Sequence, residues 1–258
     1  MTGEITLLLL TLAFFTIALL YSSVGFGGGS SYLAILSLYT TDFLQIKTAA
    51  LLCNLVVVAA GSYLFYKEGL FDKKRFLSLA LFSVPAAFLG ATIHLTQVSF
   101  FIFLGAILSL SGLLLILQLF LKGSEEIETR NNSIFVNIFL GGSTGFLSGL
   151  VGIGGGILLS PILNLLKWDR PKKIAALASF FILVNSVAGL LGQAASKTLH
   201  FRFPLFFLLL AAVFVGGQIG TRLNIRLLKP QLVKGLTGVL VLYIGIKLIL
   251  KYSLSIDI

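Results

Sequence analysis

Gly152-Ile153-Gly154-Gly155-Gly156 lies inside a long run of apolar residues, and Gly25-Phe26-Gly27-Gly28-Gly29 lies inside another. A glycine in a helix interior costs about 1 kcal/mol relative to alanine, so this density of glycine breaks a helix. In lipid, a break strands backbone N–H and C=O groups at several kcal/mol each unless protein or a cavity takes them up. Two such breaks, one in each half of a chain, are the sequence pattern of a transporter whose substrate site sits at the breaks. The competing reading is that the glycines only let helices approach closely.

Composition bounds the setting. Of 258 residues, 57% are hydrophobic and 11% charged, with a mean hydropathy of +1.05. A soluble domain carries roughly 25% charged residues. The chain therefore reads as an integral membrane protein with little mass outside the bilayer. Its net charge of +10 would suggest nucleic acid in a soluble protein. Here the basic residues fall in short loops between apolar spans, where the positive-inside rule accounts for them, so no nucleic-acid partner is expected. Met1-Thr-Gly-Glu4 lacks the basic start of a signal peptide, so residues 5–24 are expected to stay as a membrane helix. Cys53, the single cysteine, lies in an apolar run and reads as structural.

The expected fold is an all-α polytopic membrane protein. Eight segments approach the ~20 residues needed to span the hydrocarbon, namely 5–24, 46–66, 76–94, 99–121, 133–151, 173–195, 203–222 and 233–251. Two shorter segments, 30–41 and 157–166, follow the breaks and suit half or re-entrant helices. Pro171, Pro204 and Pro230 fall at or just before the start of apolar runs, where a missing N–H does little harm. Trp168, beside the charged loop Lys167–Lys173, reads as an interface anchor.

The two halves repeat. Gly25 aligns with Gly152 and Asp42 with Asp169 at one common offset. Lys47-Thr-Ala-Ala-Leu51 resembles Lys173-Ile-Ala-Ala-Leu177, and Gly90 and Gly105 match Gly220 and Gly235 at close offsets. The expected organisation is a first repeat over 1–121, a polar linker over 122–132 and a second repeat over 133–258. Basic loops at 67–75, 167–173 and 222–234 should be cytoplasmic, and the near-neutral loops 42–47 and 94–98 external. For 133 and 167 both to be inside, the chain must turn back at the glycines. The repeats are then inverted and both termini external, with Lys197 and Arg202 left as misfits. The expected location is a plasma (inner) membrane.

Several chemistries find no support. No carboxylate or histidine relay lies within the spans, and His94 and His200 sit at segment ends. Nothing has metal-ligand spacing, and no serine has a carboxylate–histidine partner nearby in sequence. The glycine motifs fail the nucleotide-binding pattern at its last glycine and lack a following Lys-Ser/Thr. No cofactor is therefore expected, and no enzyme.

What the breaks offer is bare backbone. Helices restarting near residues 29 and 156 present N–H groups with a partial positive charge, which bind anions. The candidate substrate-binding groups are Gly25, Gly27, Gly28, Gly29 and Ser30 at the first break, and Gly152, Gly154, Gly155 and Gly156 at the second. Ser22 and Ser148 flank them. Asn54, Asn185, Gln193 and Gln218 are amides within long spans; each reads equally as a ligand or as a helix-packing group. Gly145…Gly149 and Gly216-Gly217-Gln-Ile-Gly220 read as packing.

With the second motif followed by Ser160-Pro161-Ile-Leu163, the chain resembles the sulfite exporter TauE/SafE family of membrane permeases over nearly its whole length. Ala34 stands where the second copy has Pro161. The resemblance implies transport of small sulfur-containing anions, of the sulfite, thiosulfate or organosulfonate class, across a prokaryotic plasma membrane. The expectation is a secondary transporter with a small anionic substrate and membrane lipid as its partners. An anion channel and a non-transporting scaffold are the alternatives.

Overall fold

A computed structural model of the chain describes residues 2–37, 39, 42–120, 134–200, 206–226 and 230–253. The described residues form helices joined by turns and loops. The helices are α1 (Thr2–Ser22), α2 (Gly29–Leu36), α3 (Phe43–Lys67), α4 (Lys73–Thr92), α5 (Gln97–Phe120), α6 (Ile134–Val151), α7 (Gly156–Leu165), α8 (Pro171–Ala195), α9 (Phe206–Arg226) and α10 (Pro230–Ser253). Among the described residues six helices, α3, α4, α5, α8, α9 and α10, are long and apolar enough to cross a membrane. The other two expected spans fall on α1 and α6, which are 21 and 18 residues long. The expected linker, 122–132, lies outside the described residues, as do Arg202 and Pro204.

Local chemistry sets the helix ends. Asp42 and Asp72 cap α3 and α4, their carboxylates accepting from the Gln45 and Arg75 amides at 3.1 Å each. Pro171 and Pro230 open α8 and α10. The helices after the breaks begin at Gly29 and Gly156, as the sequence implies.

The charged loops gather at one end of the molecule. Arg75 Nη1 donates to Asp169 Oδ2 at 2.8 Å and to the Trp168 carbonyl at 2.9 Å. Lys172 Nζ donates to the Ile225 carbonyl at 2.8 Å, which brings the end of α9 to the same place. At the opposite end His200 Nδ1 lies 4.0 Å from Asp42 Oδ2, and Lys47, His94 and Thr198 share one pocket wall. The basic loops that charge counting put on one side are thus neighbours in space.

Trp168 departs from its expected role. It is buried among Leu79, Leu163 and Phe181, with the Arg75 guanidinium 5.1 Å from its ring. A ring closed in by three helices and covered by a cation cannot also anchor in lipid headgroups. Asp169→Asn removes the charge from this buried contact. It is expected to cost about 1.5–3 kcal/mol, the scale for hydrogen bonds to charged groups. Thermal unfolding of the detergent-purified protein would show it as a lowered midpoint.

Small residues let the long helices touch backbone to backbone. A Cβ on Gly141, Gly145 or Gly149 of α6 would strike Leu79, Ser83 or Ala87 of α4. A Cβ on Gly216 or Gly220 of α9 would strike the Phe15 or Leu19 carbonyl of α1. These rows rise together, so α6 is parallel to α4 and α1 to α9. Gly105 backs onto Gly245 and Gly112 onto Gly238, which makes α5 and α10 antiparallel. Each principal helix pairing has a mate obtained by exchanging α1–α5 with α6–α10: α4 with α6 matches α9 with α1, α4 with α8 matches α9 with α3, and α3 packs on α8. Under that exchange Gly105 falls on Gly238 rather than Gly235, and Lys47 on Ala175 rather than Lys173. Gly152 meets the Lys47 stem where Gly25 meets Ala175.

Candidate functional site

The chain doubles back at both glycine clusters. Gly25 and Gly28 have φ of 86° each, and Gly152, Gly154 and Gly155 have 80°, 76° and 80°. This left-handed region strains any residue with a Cβ. After the first break Tyr32 of α2 returns to stack on Phe14 of α1, ring centres 4.7 Å apart. After the second, Gly155 comes back against Ser148 and the Thr144 carbonyl of α6.

Asn54, midway along α3 and wholly buried, joins the two breaks. Its Oδ1 accepts from the Gly29 amide at 2.8 Å, and its Nδ2 donates to the Ile153 carbonyl at 3.2 Å. Only this amide orientation satisfies both contacts. A Cβ on Gly27 or Gly29 would run into the Asn54 side chain, so glycine there lets the backbone close on the amide. One side chain thus takes up stranded groups from two breaks distant in sequence.

Around the second break, buried polar atoms lack partners. Ser148 Oγ, Ser186 Oγ and Asn185 Oδ1 are fully buried with no hydrogen bond. A Cβ on Gly154 would lie 3.1 Å from Ser186 Oγ and 3.2 Å from Asn54 Nδ2; one on Gly155 would lie 3.1 Å from Ser148 Cβ. Buried hydroxyls and amides without partners cost free energy, so a cluster of them at one bend fits a polar ligand. Asn185 Nδ2 donates to the Phe181 carbonyl of its own helix at 2.8 Å.

The other expected residues sit differently. Ser22 and Gly25 line a narrow cleft toward the charged end, with Phe26, Val58, Ser179 and Thr221, that has no room for a water. Ser30 is buried in the first turn of α2, and its neighbour Ser31 meets Tyr21 Oη at 2.6 Å. Gln193 Oε1 accepts from Thr48 Oγ1 at 2.7 Å, tying the end of α8 to the start of α3, while its Nε2 has no partner. Gln218 is half-buried on α9, one residue past Gly217, which packs on Val57.

Sequence reasoning missed two groups. Ser186 adjoins a residue already singled out, Asn185, but its approach to Gly154 is a tertiary fact. Lys47 was counted in the external loop 42–47. The structure puts it inside α3, 5% exposed, with Nζ donating to the Leu150 carbonyl at 2.9 Å. Its place in an apolar helix rather than among other charges was the available signal. A pocket of about 60 Å³, lined by Phe43, Leu44, Lys47, His94, Leu150 and Thr198, opens beside it.

The profile of the family described as "Sulfite exporter TauE/SafE" matches residues 10–248. A protein of Sinorhizobium fredii described as a probable membrane transporter is 33% identical over 93% of this chain and 97% of its own. A Bacillus subtilis protein with the same description is 28% identical over 88% of this chain and 92% of its own. No solved structure matches the chain.

Proposed function

Because the chain belongs to the sulfite exporter TauE/SafE family, whose profile covers most of its length, we propose that it is a secondary transporter of a small sulfur-containing anion. The cargo is of the sulfite, thiosulfate or organosulfonate class, and the membrane is the plasma membrane. The carrying observation is the meeting of both helix breaks on Asn54, halfway along a spanning helix. The N-terminus of α7, bare glycine backbone and unpartnered hydroxyls lie beside it, an electropositive setting that suits an anion.

Residues 1–121 and 133–258 act as two inverted repeats that move against each other. The parallel pairing of α1 with α9 and of α6 with α4 supports this, since each break helix follows a helix of the other half. The narrow cleft on the charged side and the roomier pocket on the His94 side support a state closed toward the cytoplasm. Alternating access then exposes the breaks to each side in turn. The clustered basic loops support both termini being external, and a reporter fused after Ile258 should be dark in the cytoplasm.

The test is flux in proteoliposomes. Uptake of labelled thiosulfate, sulfite or taurine should saturate and be accelerated by the same unlabelled anion inside. Single-channel currents without counterflow would point instead to a pore. Absence of both flux and binding for all three anions would remove the proposal.

A further inference from the structure

The two breaks look equivalent in sequence but are completed by different chemistry. Each break exposes a helix C-terminus with partial negative charge and a helix N-terminus with partial positive charge. At the first break both are met by neutral amides of the protein. The Ser23 carbonyl after α1 accepts from Asn224 Nδ2 at 2.7 Å, and the Gly29 amide opening α2 donates to Asn54 Oδ1 at 2.8 Å. At the second break the end of α6 is met by a full cation, the Lys47 ammonium on the Leu150 carbonyl. Among the described residues, no side-chain acceptor is bonded to the N-terminus of α7. The side chain facing Gly156 is Ile182, whose Cδ1 would lie 2.5 Å from an added Cβ. Ser148 Oγ and Ser186 Oγ are both fully buried and unpartnered; Ser186 Oγ would lie 3.1 Å from a Cβ on Gly154, and Ser148 packs its Cβ against Gly155.

Lys47 is a buried cation that donates to that one carbonyl, and it takes part in none of the salt bridges among the described residues. A buried ammonium needs an opposite charge, because one neutral hydrogen bond does not offset the loss of water. Building on the transport reading above, we infer that the anion binds at the second break alone, with Lys47 as its counter-charge and the α7 N-terminus, Ser148 and Ser186 as its hydrogen-bond donors. The first break is a fixed structural copy, its anion position occupied by Asn54 Oδ1. The pocket between Lys47, His94 and Thr198 is the approach, and it holds more than one water-sized volume. On arrival the anion takes a second N–H of the ammonium while Leu150 keeps the first, so no proton changes hands.

The experiment is titration of purified wild-type protein, Lys47→Gln, Lys47→Arg and Ile182→Asn with sodium thiosulfate, at ionic strength held constant with sodium gluconate. Binding is read by calorimetry and by the shift in melting temperature. Lys47→Gln should weaken binding at least about ten-fold, the loss expected for one charge-assisted hydrogen bond, while Lys47→Arg stays within a few-fold of wild type. Ile182→Asn places an amide oxygen before the α7 N-terminus, copying the first break. It should fold at least as stably without ligand yet bind thiosulfate far more weakly. Wild-type affinity in folded Lys47→Gln would overturn the inference. If Lys47→Gln does not fold, wild-type affinity in Ile182→Asn overturns it equally. Wild-type protein that binds none of thiosulfate, sulfite and taurine sinks the transport reading itself, a different failure.

Discussion

Gly155→Val is expected to abolish transport while the remaining helices keep their packing. Gly155 caps α7 with φ of 80°, and a valine forced into that region is a backbone outlier. The strain is about 1–3 kcal/mol. The new Cβ would also press on Phe181 Cε1 at 3.0 Å and on Ser148 Cβ at 3.1 Å. The least costly relief is to shift the start of α7, which moves the N–H groups offered to the anion. Displacement of a binding constellation by an ångström costs about a hundred-fold in activity, so flux should fall by at least that factor. Gly28→Val meets Ile17 and Tyr32 at 2.9 Å with φ of 86° and should behave alike in stability. Proteoliposome flux and unfolding midpoints measured side by side would test this. Wild-type flux through Gly155→Val would mean that the bend at the second break is not used in transport.

Asn54→Leu should be the most destabilising single change at the breaks. Leucine keeps the bulk but strands the Gly29 amide and the Ile153 carbonyl, both buried. An unpaired buried backbone group costs about 1–3 kcal/mol, and two are lost here. The unfolding midpoint should drop by several degrees, and flux should vanish because the two breaks are no longer tied together. Asn54→Asp separates the roles. It keeps an acceptor for Gly29 but loses the donor to Ile153 and adds negative charge beside the second break. The protein should retain more stability than Asn54→Leu and bind no thiosulfate. Equal stability of Asn54→Leu and wild type would show that the bridge carries little energy.

Particular residues show how far the sequence could be read. The breaks were legible because glycine density in an apolar run has one cheap explanation, and the helices restart at Gly29 and Gly156. The packing role of Gly145, Gly149, Gly216 and Gly220 was legible from spacing. Asn54 and Asn185 could not be told apart as amides. In the fold one bridges both breaks and the other bonds its own helix at Phe181. Gln193 turned out to hold Thr48, a contact between residues far apart in sequence. Lys47 was misplaced because charge alone suggests a loop, whereas its stem lies over Gly152.

By itself the sequence determined the membrane setting, the helical content and the position of each bend, because lipid leaves backbone polar groups few ways to be satisfied. Only the tertiary structure decided which bend keeps an unmet positive end. That depends on whether Asn54 or Ile182 faces the restarting helix, and on where the Lys47 ammonium reaches. Those pairings join α3, α6, α7 and α8, and no local pattern along the chain encodes a contact between them.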